Sequence, residues 1–195
     1  MSFDERVLRV ARTWGHTPER DRAVREFSRL GEHAAVWLAI GVVGGAIDAP
    51  RRGRWGRATA TVAATYALNT LLKLLVRRHR PQLEGLPPLA GTPTRLSFPS
   101  AHASTAFAGA FVYERLGLPA PALYGLAGTL AWSRLYLGVH YPSDVLAGAL
   151  LGTAVAAAQM PGPLAPATMN GAGPHVASTN GHGPTRPATA TGDAL

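Results

Sequence analysis

Three short stretches concentrate the residues able to do chemistry. The first, Lys73-Leu-Leu-Val-Arg77-Arg78-His79-Arg80-Pro81, gathers cations at the end of an apolar run. On a continuous helix, seven residues make nearly two turns, so Lys73 and Arg80 share a face with Arg77 between them. Like charges stacked this way repel unless an anion sits among them. A basic flank beside a membrane helix has the same composition, but Lys73, the single lysine of the chain, lies one turn deeper than a flank requires. The second stretch is Ser97-Phe98-Pro99-Ser100-Ala101-His102. A Ser followed by Pro predicts a helix start, whose free N–H groups and dipole form a phosphate cradle beside Ser100 and His102; a plain cap with an incidental histidine is the alternative. In the third, five residues separate Ser133-Arg134 from His140, and three separate His140 from Asp144. Pro142 keeps His140 in the approach to the last helix and puts Asp144 in its first turn. A carboxylate there can orient one imidazole nitrogen and free the other as nucleophile or base, unless the pair is only structural. Arg134 presents a planar fork of donors suited to a phosphoryl group.

The elements that must position these groups are apolar helices. The chain has 195 residues, 47% hydrophobic and 15% charged, well under the roughly 25% charged of average soluble domains. Its net charge of +8 points to anionic partners. The absence of cysteine removes disulfides, thiolate nucleophiles and Cys-ligated metals. Met1 to Arg29 carries seven arginines and no apolar core, so it does not read as a signal peptide. Its apolar positions instead recur at helical spacing, and Thr17-Pro18-Glu19 starts a second helix, making residues 1–30 a pair of amphipathic helices. Uncharged segments follow at Ala34–Ile47, Ala58–Leu72, Leu96–Tyr113, Leu116–Ser133 and Val145–Met160. Each is slightly shorter than the roughly 20 residues of a full membrane crossing, which leaves a buried soluble bundle as the alternative. Richness in Gly, Ala, Ser and Thr, with arginine-rich joints between segments, favours membrane helices. The expected fold is thus all-α, an integral membrane bundle of about five transmembrane helices over residues 31–160. Residues 161–195, rich in Pro, Gly and Ala, are expected to form a disordered tail.

Together, Lys73-x6-Arg80-Pro81, Pro99-Ser100-Ala101-His102 and Ser133-Arg134-x5-His140-x3-Asp144 resemble the three signature motifs of the type 2 phosphatidic acid phosphatase superfamily, which includes vanadium haloperoxidases. The resemblance covers roughly Leu30 to Ala158. One position departs: Ala101 stands where the family usually has Gly, a harmless change if φ there is negative. The resemblance implies hydrolysis of a phosphate monoester or diphosphate without metal or other cofactor. His140 would attack phosphorus and form a phosphohistidine, Asp144 would orient it, and His102 would protonate the leaving oxygen. Lys73, Arg80, Arg134, Ser100 and the Ala101 N–H would hold the phosphoryl oxygens.

In membrane members the site faces outward from the cytoplasm, which makes the Arg51-to-Arg57 joint a cytoplasmic loop as the positive-inside rule prefers. The seven N-terminal arginines then lie outside, consistent only with interfacial helices. The expected partners are the membrane and a lipid phosphate, with Arg77, Arg78, Gln82 and Arg95 as candidate headgroup contacts. The stretch Gly91 to His102 is similar to small bacterial members acting on polyprenyl phosphates or diphosphates; phosphatidic acid and phosphatidylglycerol phosphate stay open, as does oligomeric state. Rival readings are a vanadate-dependent haloperoxidase, a non-catalytic membrane partner protein and a nucleic-acid binder. The last fits the net charge but not arginines confined to joints between apolar segments, so no nucleic-acid partner is expected.

Overall fold

Helix-forming local signals account for most of the chain. The computed structural model describes residues 1–160, so the tail expected from 161 onward lies outside the described residues. Helix α1 (Phe3–Thr13) opens on a capping box: Glu5 N–H donates to Ser2 Oγ at 3.2 Å and Ser2 N–H to the Glu5 carboxylate at 2.8 Å. Helix α2 (Pro18–Arg29) opens as its Thr17-Pro18 signature predicts, with Thr17 Oγ1 accepting from Arg20 N–H at 3.2 Å. A 3₁₀ turn at Glu32–Ala34 then leads into α3 (Ala35–Ile47), and the α2–α3 pair is bent by 47°. His33 and Ala34 make that bend in the left-handed region, with φ of 50° and 61°, a costly conformation for residues bearing a Cβ.

Helix α4 (Arg52–Val76) follows, then α5 (Ala101–Glu114), α6 (Ala120–Tyr136) and α7 (Pro142–Gln159). Asp48 ties the α3–α4 joint by accepting from Arg51 Nε at 2.6 Å and Trp55 Nε1 at 2.9 Å. Helix α5 is the centre of the bundle and packs against α4, α6 and α7. Small residues permit this: a Cβ at Gly148 would lie 2.5 Å from the Ser100 carbonyl oxygen, and one at Gly152 would run into that of Ser104. The core holds Trp37, Val62, Val112, Tyr113, Leu116 and Leu130, and each large apolar side chain buried there contributes about 1.5–3 kcal/mol.

One helical stretch, Ala49–Val76, is long and apolar enough by itself to cross a membrane, and the bent pair Pro18–Arg29 with Glu32–Ile47 passes the same test together. Leu71, Leu74, Leu75 and Val76 are exposed along α4. The amphipathic α1 is anchored rather than free. Leu8 and Ala11 pack on Leu135, and Arg12 reaches the carbonyls of Pro87 at 2.7 Å and Tyr136 at 3.3 Å.

Two helix ends differ from the sequence expectation. Helix α4 stops at Val76, with Arg77 left-handed at φ 54°, so Lys73 and Arg80 do not share a helical face. The two helical turns implied by Lys73-x6-Arg80 are replaced by a return segment in which Arg80 N–H donates to Arg95 O at 3.1 Å and Ser97 N–H to Arg78 O at 2.8 Å. Helix α5 likewise begins at Ala101, not at Ser97. Residues 78–80 and 95–97 thus run antiparallel, carrying Arg80 and the Ser97–Ser100 turn to the same end of the bundle.

Candidate active site

The C-terminal ends of α4 and α6, the N-terminal end of α5, the approach to α7 and the α2–α3 corner meet the 78–100 segment around a cavity of about 340 Å³, large enough for a phosphorylated headgroup. Lys73, Arg80, Ala101, His102, Arg134 and His140 all line it. Lys73 reaches from the last turn of α4, and its Nζ donates to the carbonyls of Ser97 at 3.2 Å and Pro99 at 2.7 Å. Arg80 is aimed by the 95–97 pairing: Nε donates to Thr94 O at 2.9 Å, and Nη1 to Val139 O at 2.7 Å and His140 Nε2 at 3.1 Å.

That last contact settles the His140 tautomer. A guanidinium only donates, so Nε2 carries the lone pair and the hydrogen sits on Nδ1. Nδ1 faces Asp144 Oδ2 at 3.6 Å, an electrostatic contact longer than a hydrogen bond. Asp144 is held firmly, because Oδ2 also accepts from Tyr141 N–H at 2.8 Å and Oδ1 from Arg78 Nη1 at 2.8 Å. Burial, then the nearby charges of Arg80, Arg134 and Lys73, hold the His140 imidazole well below its ordinary value, so it is neutral at neutral pH. Burial likewise lowers Arg80 to about 10, which leaves it cationic.

Ser100 is the residue before α5, yet its hydroxyl makes no cap bond. Its N–H donates to Asp144 O at 3.0 Å, and the buried Oγ has no partner among the described residues. Ala101 lies in the first turn of α5 with an ordinary helical backbone, so the replacement of Gly there carries no strain. Arg134 is 5% exposed and its Nε is buried with no partner among the described residues, beside the cavity.

The four candidate headgroup contacts separate. Arg78 does not line the cavity: after the left-handed turn at Arg77 its Nη1 also donates to Ser143 Oγ at 2.7 Å, Nη2 to Asp4 Oδ2 at 2.9 Å, and the guanidinium lies 4.1 Å over the Tyr141 ring. Arg77 is exposed, does not line the cavity, and its Nε bonds Leu74 O at 2.9 Å. Gln82 and Arg95 border a groove that shares Arg80 and Thr92 with the cavity.

Other participants were not singled out from sequence. Asp4 accepts from Arg78 and from Ser143, both N–H and hydroxyl; burial would raise its carboxyl, but these bonds hold it below the usual range. Buried Asn69 of α4 donates to Pro99 O at 3.2 Å and Ser104 Oγ at 2.8 Å, bracing the turn before α5; an amide within an apolar run was the available signal. Glu32 is an acid on the cavity wall, and Ser28 binds both His102 and Arg134. Neither has a local signal, because both are brought in by the α2–α3 bend.

The arrangement brings three cations to one cavity beside a neutral imidazole whose Nε2 lone pair is held by Arg80, and phosphoryl transfer asks for this combination of positioning and charge. Comparison with known proteins agrees. Decaprenylphosphoryl-5-phosphoribose phosphatase of Mycobacterium tuberculosis is 45% identical over 135 residues, covering 68% of this chain and 75% of that protein. Among solved structures, Aquifex aeolicus LpxE shares the fold with a TM-score of 0.69 at 24% identity, over 82% of this chain and 95% of that one. A transmembrane PAP2 type phosphatidylglycerolphosphate phosphatase from Bacillus subtilis gives a TM-score of 0.66 at 25% identity, over 80% of this chain and 82% of that one. Residues 54–163 match the model of the PAP2 superfamily, and with six of its motif residues lining one cavity the chain belongs to that superfamily as a hydrolase acting on phosphoric esters.

Proposed function

We propose that this protein hydrolyses a lipid phosphate at the outer face of the membrane, without metal, through a phosphohistidine, and that the lipid is a polyprenyl phosphate or diphosphate. The observation that carries the reading is the His140 Nε2 lone pair facing a cavity lined by Lys73, Arg80 and Arg134. In the first step Nε2 attacks phosphorus as the ester P–O bond breaks, and His102, entering the step as an imidazolium, gives its second proton to the departing oxygen. Arg80 moves from Nε2 to a phosphoryl oxygen, and Arg134 and Lys73 share the charge. Asp144, 3.6 Å from Nδ1, balances the positive ring. In the second step His102 takes a proton from water, the water oxygen attacks phosphorus, and the P–N bond breaks to release inorganic phosphate and restore His140.

The proposed orientation is supported by the length of α4. Its 25 residues rise about 37 Å, and the part beyond Arg57 about 28 Å, close to the hydrocarbon thickness, so the arginines at 51–57, most of them in the first turns of α4 and not in a loop, lie at the end away from the cavity. Crossing by the remaining helices, and interfacial placement of α1 and α2, belong to the same reading. Exposed Leu71, Leu74 and Leu75 on α4, near cavity-lining Thr70, offer an acyl or prenyl chain an apolar path to the headgroup site. The polyprenyl preference rests on the mycobacterial relative's substrate. Phosphatidylglycerol phosphate or phosphatidic acid is the second reading, supported by the Bacillus neighbour.

The test is phosphate release by detergent-purified protein from polyprenyl phosphates, polyprenyl diphosphates, phosphatidic acid and phosphatidylglycerol phosphate, with EDTA present and His140→Ala alongside. Release that survives EDTA and disappears in the variant is expected. Turnover by His140→Ala would refute the nucleophile assignment.

A further inference from the structure

We propose that the corner joining α2 to α3, through Ser28 and Gly31, positions both the proton donor and one phosphate-binding cation, so that the amphipathic N-terminal region is part of the catalytic apparatus. The proposal rests on the mechanism given above. Ser28 is 2% exposed and meets two catalytic side chains at once. Because α2 ends at Arg29, the Ser28 carbonyl is one of the helix's orphan acceptors. It takes Gly31 N–H at 3.1 Å and still has a lone pair for His102 Nε2, at 3.0 Å. A carbonyl only accepts, so Nε2 carries hydrogen and is committed to this bond, which leaves Nδ1 as the nitrogen that exchanges a proton with substrate and water. Gly31 is the back wall of the same ring: a Cβ there would lie 2.5 Å from His102 Cδ2 and 3.1 Å from Nε2. Its φ of −89° suits any residue, so space beside the imidazole, and not backbone freedom, makes glycine necessary.

The Ser28 hydroxyl serves the second group. Oγ accepts from Arg134 Nη1 at 2.6 Å and shares a 2.9 Å hydrogen bond with Ser133 Oγ. Arg134 is almost fully buried and its Nε is unpartnered among the described residues, so this short bond fixes which edge of the guanidinium turns toward the cavity. Ser28 and Gly31 are therefore positioning residues, one acting through Arg134 and the other through His102. Neither would be expected to touch substrate.

The two arms separate experimentally. Gly31→Ala displaces the proton donor, so kcat on a lipid phosphate, whose alkoxide must be protonated to leave, should fall about 10- to 100-fold. With p-nitrophenyl phosphate, whose leaving group departs unprotonated, the pre-steady-state burst of p-nitrophenolate, which reports the first step alone, should stay within about threefold of wild type while steady-state turnover falls, and a general loss of structure would not spare the burst. Ser28→Ala, which removes one oxygen and leaves the carbonyl, should weaken inhibition by orthovanadate about tenfold or more. That effect should vanish when Ser28→Ala is placed on an Arg134→Ala background, since a group acting through another is non-additive with it. Thermal melting of both variants, and His140→Ala assayed with EDTA, complete the set. Equal first-step losses on both phosphates, or an additive Ser28→Ala effect, would overturn the positioning role. Wild-type behaviour of both variants beside a dead His140→Ala would overturn it while sparing the phosphohistidine mechanism, whereas an active His140→Ala would remove both.

Discussion

Replacing Asp144 by Asn tests the electrostatic core of the mechanism while keeping size and shape. Both carboxylate oxygens accept: Oδ1 takes Arg78 Nη1 and Oδ2 takes Tyr141 N–H, each at 2.8 Å. An asparagine has one oxygen and one NH2, so whichever way it turns, a donor faces a donor at a site that is 0% exposed. If the NH2 lies at the Oδ2 position it also meets His140 Nδ1–H and favours the tautomer that removes the lone pair from Nε2. The charge itself matters in the transition state. At 3.6 Å and an effective dielectric of about 20, a carboxylate and a fully charged imidazole ring attract by about 4 to 5 kcal/mol, which is the ceiling on what the substitution removes. We therefore expect kcat to fall about 10²- to 10³-fold with KM within a few-fold, and less severely than in His140→Ala. The assay is phosphate release at saturating lipid, run beside a thermal melt, because losing the bond to Arg78 costs about 1.5–3 kcal/mol of stability. A variant that melts normally and keeps more than a tenth of wild-type kcat would refute the reasoning.

Three further outcomes follow from the same geometry. Because His140 is held below its ordinary value of 6.5 and reacts when neutral, lowering the pH should not protonate it until well below 6.5; an acid limb of kcat/KM at or above that value, once substrate ionisation is divided out, would contradict its environment. Gly148→Ala puts a methyl 2.5 Å from the Ser100 carbonyl, so it should cost about 1–3 kcal/mol, lower the melting temperature by several degrees and depress activity through the α5 start, and a neutral result would mean that α5 and α7 can separate. The chain has no cysteine, so Gly53→Cys and Pro87→Cys supply single labels at opposite ends of the bundle; an impermeant reagent applied to intact cells should label position 87, and labelling of position 53 would reverse the proposed topology.

The sequence alone determined what depends on residue type and short spacing. Caps at Ser2 and Thr17, apolar runs without charge, and proline at position 142 fix helices locally, since capping and burial act over one or two turns. The three motifs were legible because each packs its chemistry into a dozen residues or fewer. Spacing, however, reads as geometry only while the helix continues. Lys73 and Arg80 looked like neighbours on one face, but the left-handed Arg77 ends the helix, and pairing with residues 95–97 is what delivers Arg80 to His140. For the same reason Arg78, two residues earlier, turns away from the cavity to pair with Asp144 and Asp4. Ser28, Glu32 and Asp4 carried no local sign of a role, because their partners lie far along the chain: Ser28 meets His102 across 74 residues and Arg134 across 106. Which side chains could perform phosphoryl chemistry was written in residue types; which of them face the cavity, and which hold the others in place, was decided by the bend after α2 and the close crossing of α5 and α7.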